Sequence, residues 1–97
     1  MLKKKYFKTK EECEVTFELL AEADDVALVS ESNEWEPVTM KQRKKDKAFY
    51  TRVRLPNENQ YEFRYLIDGS LWANDDAADG YVSNEFGGQN SLVKTYR

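Results

Sequence analysis

Between Tyr61 and Trp72 the chain reads YEFRYLIDGSLW, and no other stretch restricts the possible folds as much. Tyr61, Phe63, Tyr65 and Ile67 alternate with Glu62, Arg64 and Leu66, the period of a β-strand, and Asp68-Gly69 is a reverse-turn pair that ends it. A strand so rich in aromatic rings needs packing partners on at least one face. The turn brings Trp72 back to the end of the strand that carries Arg64, which sets a flat aromatic ring beside a guanidinium.

The same period recurs along the chain. Val15, Phe17 and Leu19 alternate with Glu14, Thr16 and Glu18, and Phe49, Thr51, Val53 and Leu55 alternate with Tyr50, Arg52 and Arg54 up to the stop at Pro56-Asn57. Tyr61 to Ile67 is expected to be the antiparallel partner of this second strand. Val26 to Val29 suits a short core strand, Ser30 to Pro37 a loop around Trp35, and Thr39 to Gln42 a further short strand. Gln42 to Lys47 reads as a solvated hairpin tip, and Lys4 to Lys8 as an edge strand or tail whose lysines oppose edge-to-edge association. Beyond an acidic loop, Asn74 to Asp79, the closing segment Ser91 to Tyr96 offers Leu92 as an inward residue. Six or seven short strands at roughly ten-residue spacing, with no helical period, predict an all-β, immunoglobulin-like β-sandwich, with a closed barrel as the alternative.

Composition narrows the function classes. The 97 residues suffice for one domain spanning 1–97, and 40% hydrophobic with 13% aromatic residues is enough to close a core despite 34% charged ones. Net charge is −3, which argues against nucleic acid as a partner even though Lys3 to Lys5 and Lys41 to Lys47 are basic clusters. No apolar run resembles a signal peptide or a membrane span, so the expected location is cytoplasmic, with no membrane partner. The single cysteine, Cys13, fits a reducing compartment, and its alternation with Val15 and Phe17 predicts a packed thiol.

There is no histidine, which removes the commonest zinc sites and triad chemistry together. Asp75, Asp76 and Asp79 lack the glycine and distal glutamate of a calcium loop and read as a solvated acidic loop. Nothing buries one of them to make a glycosidase acid. The chain is therefore expected to be non-catalytic, without metal or cofactor.

What remains is a set of binding residues. Trp35 sits in the polar loop SNEWEP, where it is either a lid on the core or an exposed platform. One of Leu71 and Trp72 is expected to point inward and the other outward. An outward Trp72 presents a rigid face for a sugar ring, whose axial C–H groups meet the negative face of the indole while polar neighbours bind hydroxyls. Arg64 could serve as such a neighbour, or form a salt bridge with Glu62 or the 75–76 loop. Asn90 follows Gly87-Gly88-Gln89, which permits close approach of a ligand or simply a turn.

The succession NEW (Asn33 to Trp35), AFYTRVRLP (Ala48 to Pro56), YEFRYLIDGSLWANDDAAD (Tyr61 to Asp79) and NEFGGQNSLV (Asn84 to Val93) resembles a family 48 carbohydrate-binding module. This is the early-set, immunoglobulin-like domain of isoamylases and branching enzymes, found also as the glycogen-binding domain of the AMP-activated protein kinase β subunit. The likeness covers about Val15 to Val93. It implies non-catalytic binding of α-1,4-linked glucan such as glycogen or a maltooligosaccharide, with a glycogen-metabolism enzyme as a further candidate partner. By the same resemblance Trp35 and Trp72 are the stacking tryptophans, Arg64 and Asn90 bind hydroxyls, and Phe86 reaches into the curve of the glucan. Three positions depart from the pattern. Ser32 replaces a supporting phenylalanine, which predicts a looser Trp35 loop. Gly88 replaces a threonine, and one extra residue between Gly69 and Trp72 predicts a different placement of Trp72; together the three predict weaker binding. The alternative is a protein-interaction or scaffold sandwich.

Overall fold

The computed structural model describes residues 1–85 and 87–96. In chain order the strands are β1 (Leu2–Tyr6), β2 (Glu12–Leu19), β3 (Val26–Ser30), β4 (Val38–Thr39), β5 (Lys41–Gln42), β6 (Phe49–Pro56), β7 (Gln60–Ile67), β8 (Leu71–Ala73), β9 (Gly80–Ser83) and β10 (Gln89–Lys94). They form two antiparallel sheets, one in the order β1-β2-β6-β5 and the other β4-β3-β7-β10-β9, with β8 also on β7. The inner faces pack into a β-sandwich.

The core is what the alternation demands. Cys13, Val15 and Phe17 of β2 and Phe49 and Leu55 of β6 meet Val26 and Leu28 of β3, Phe63 and Tyr65 of β7, and Val93 of β10. Phe17 crosses between the sheets to Phe63, with ring centroids 5.0 Å apart in an edge-to-face arrangement, and Phe63 meets Tyr65 in the same way at 5.6 Å. Cys13 is fully buried, as a strand thiol flanked by core residues should be.

Three sequence expectations are corrected. First, β7 is not the partner of β6. β6 pairs with β2 and β5, whereas β7 pairs with β3, β8 and β10. Both strands carry apolar faces that must meet across the core, so the chain changes sheets over 57–59. Asn57 N–H donates to Glu11 O, Glu58 N–H to Thr95 O, and Thr95 Oγ1 to Pro56 O, which fix the crossing. Second, the Thr39 to Gln42 segment is two short strands in different sheets, with the buried Met40 between them. Third, Val93 enters the core, while Leu92, paired with Glu62, is buried on the opposite face of its sheet.

β7 places the rest. Along one edge it pairs with β3 from Phe63 to Ile67. Its remaining pairings are divided end to end between β10 at residues 60–63 and β8 at residues 65–67. Arg64 lies at the junction between the two.

Candidate functional site

Trp35, Arg64, Trp72 and Asn90 line a single cleft of about 520 Å³, together with Val29, Glu62, Asn84 and Glu85. Phe86 lies outside the described residues. The cleft occupies the outer face of the larger sheet. Its members are distant in sequence, and the register of β7 gathers them, because Val29 lies opposite Arg64 on β3 and Trp72 opposite Leu66 on β8.

Trp72 is 50% exposed and Leu71 64%, so neither points inward. The residue of β8 that reaches the core is Ala73, opposite Tyr65, and Leu71 lies beyond it at the turn. The Arg64 guanidinium carbon stands 5.0 Å from the centroid of the Trp72 ring, a cation–π stack that steadies the plate. The salt bridge offered as an alternative role for Arg64 does not form among the described residues. Its buried Nε has no hydrogen-bond partner among them either.

Trp35 is 42% exposed and not part of the core, so it is not a lid on the core. Its loop is held by polar groups. Ser30 caps the short 3₁₀ turn Glu31–Asn33, its Oγ accepting Ser32 N–H at 3.2 Å and lying 2.9 Å from the Ser32 hydroxyl. The same Oγ donates to Glu62 O at 3.1 Å, while Glu31 Oε1 accepts Glu62 N–H at 2.8 Å. Ser32 thus adds a hydroxyl contact to the Ser30 cap rather than an apolar prop. Glu34 and Trp35 both adopt left-handed backbone, at φ 55° and 62°, and the Trp35 N–H donates to Ser30 O at 2.8 Å. Two consecutive non-glycine residues in this region carry strain, which the ties to β7 offset.

Asn90, 9% exposed on β10, donates from Nδ2 to Glu62 Oε1 at 2.9 Å and accepts at Oδ1 from Asn84 Nδ2 at 3.3 Å. Asn84 in turn accepts Gly88 N–H at 3.0 Å, closing a turn in which Gly87 sits at φ +83°. Sequence reasoning missed Glu62, Asn84, Glu85 and Val29 as cleft residues. Glu62 had a signal, since it alternates onto the same face as Arg64. Asn84 and Glu85 had none, because a loop carries no period.

Under the cleft runs a buried network that the sequence reading placed in solvent. Asp75 is 1% exposed, accepting Tyr65 Oη at 2.8 Å and Ala77 N–H at 2.8 Å. Its backbone N–H donates to Ser91 Oγ at 3.0 Å, and Ser91 Oγ donates to Asn74 Oδ1 at 2.9 Å. A carboxylate that finds several donors, here including the Met1 ammonium, is stable inside. The Asp75 backbone N–H and the Asn74 side chain, both bonded to Ser91, tie the segment following Trp72 to the strand of Asn90. Burial, then the adjacent Asp75 carboxylate, push the Tyr65 hydroxyl far above the usual tyrosine pKa.

Among the described residues no group of three or more His, Cys, Asp or Glu could hold a metal ion. No helix among the described residues is long and apolar enough to cross a membrane. No protein-family model matches the chain, and no curated protein does. Its function has to be read from the cleft.

Proposed function

We propose that this is a non-catalytic carbohydrate-binding domain of the early-set, immunoglobulin-like kind, which holds cytoplasmic α-1,4-linked glucan of the glycogen type. The supporting observation is the convergence of Trp35, Arg64, Trp72 and Asn90 on one cleft. Two half-exposed indoles give flat apolar faces to sugar C–H groups, and a guanidinium and an amide give the planar hydrogen bonding that vicinal hydroxyls require. An open face suits a polymer, which can enter and leave sideways.

Tryptophan fluorescence during titration with maltoheptaose and β-cyclodextrin tests this. Saturable quenching or a spectral shift is expected. Trp72→Ala should weaken binding about tenfold, the equivalent of ~1.4 kcal/mol, and Arg64→Ala should weaken it as well. A flat titration up to millimolar ligand rejects the glucan reading and leaves a protein-interaction sandwich.

A further inference from the structure

The cleft contains a charge imbalance that hydroxyl binding does not need. Its lining has one cation, Arg64, and two carboxylates, Glu62 and Glu85. Arg64 is stacked on Trp72. Glu62 is tied on three sides: its carboxylate accepts the Asn90 amide, its backbone N–H donates to Glu31 Oε1, and its carbonyl accepts the Ser30 hydroxyl. Its side chain therefore cannot swing away from an incoming ligand without releasing Asn90, while its backbone is anchored to the Trp35 loop. With Asn84 on the other end of the Asn90 amide, the group is held by both of its polar atoms.

We propose that Glu62 is the specificity-determining residue of the cleft, orienting the Asn90 amide and using its fixed negative charge to exclude glucans that carry phosphate. The inference rests on the α-glucan reading and adds a discrimination to it. A neutral chain loses nothing to the carboxylate, whose remaining acceptor capacity suits a sugar hydroxyl. A phosphate monoester brings a like charge into a cleft that already holds more carboxylates than cations, and juxtaposed like charges weaken binding and shift its salt dependence. Glu62 acts on Asn90 as a positioning residue and on the ligand as a charge filter, and the two roles separate by substitution. Glu62→Gln keeps an acceptor for the Asn90 amide and loses the charge, whereas Glu62→Ala loses both.

The test compares Kd for neutral maltoheptaose with that for a maltooligosaccharide bearing a glucose 6-phosphate unit, for the unaltered protein and both variants, at low and high salt. The unaltered protein should bind the phosphorylated chain about tenfold more weakly at low salt, with the gap narrowing at high salt. Glu62→Gln should weaken neutral-chain binding less than Glu62→Ala does and close most of that gap. Glu62→Ala should lose several-fold on the neutral chain, with a changed NMR signal for the Asn90 side-chain amide. Neutral binding with equal affinity for the phosphorylated chain, or a gap that Glu62→Gln leaves intact, overturns the inference and spares the glucan reading. Absence of binding by either chain to any of the proteins overturns both.

Discussion

Replacing Tyr65 with Phe removes one oxygen from the deepest part of the molecule and little else. Tyr65 is fully buried, its ring packs edge-to-face on Phe63, and its hydroxyl donates to Asp75 Oδ2 at 2.8 Å, with Glu18 O at 3.4 Å as a weak second acceptor. Phe fits the same space, so no cavity forms. The cost is one hydrogen bond to a charged, buried acceptor, about 1.5–3 kcal/mol. For a domain of this size that corresponds to a fall in Tm of roughly 6–24 °C. Urea unfolding followed by tryptophan fluorescence should show a lower midpoint with an unchanged slope. The pH dependence adds an independent signature. The folded-state pKa of Tyr65 is raised, so its contribution is fully present below the ordinary tyrosine pKa of about 10. Above that value the unfolded chain ionises while the folded one keeps its proton, and stability falls with rising pH at up to ~1.4 kcal/mol per pH unit. Tyr65→Phe should lose that component of the alkaline limb, so the difference between the two proteins shrinks as pH rises. A variant as stable as the unaltered protein at neutral pH, or with an identical alkaline limb, refutes the buried Tyr65–Asp75 bond.

Two further substitutions probe the turns that frame the cleft. Gly69 sits at φ +72° with open space where a Cβ would lie, so Gly69→Ala should cost about 1–2 kcal/mol from backbone strain alone, measured by thermal unfolding, and a neutral result would mean the turn can relax. Ser30→Ala removes the cap of the 3₁₀ turn and a bond to Glu62, and should cost about 1–2 kcal/mol while freeing the Trp35 ring, seen as lower fluorescence anisotropy; unchanged anisotropy would show that the loop is held otherwise.

Period-two alternation made the strands legible, and with them the side of each strand that is buried. It found β2, β6 and β7 nearly to the residue, because one face of each had to be apolar. It could not say which strand lies beside which. β6 and β7 follow one another and look like a hairpin, yet alternation is equally satisfied when two strands face each other across a core. Leu92 and Val93 show the same limit at one position, since two adjacent apolar residues leave the parity of a strand open. Of the cleft, Arg64 and Trp72 follow from the strand and its turn, while Trp35 and Asn90 were named from resemblance alongside a loop reading that left their roles open. Asp75 was misplaced for a chemical reason. An aspartate in an acidic loop reads as solvated, and the distant donors that admit it to the interior, the Tyr65 hydroxyl and the Met1 ammonium, come from elsewhere in the fold.

The one-residue passage at Met40 has a consequence for how this chain tolerates change. β4 and β5 belong to different sheets and are separated only by Met40, whose N–H donates to Val26 O at 2.8 Å. A single inserted or deleted residue there would have to be absorbed by shifting one of two registers, β4 against β3 or β5 against β6, and each shift would exchange the two faces of its strand. Length variation should therefore collect in the loops before and after this corner, at 31–37 and 43–48, where the chain has no second sheet to satisfy. One of those loops carries Trp35, so the segment freest to change in length also holds one wall of the cleft.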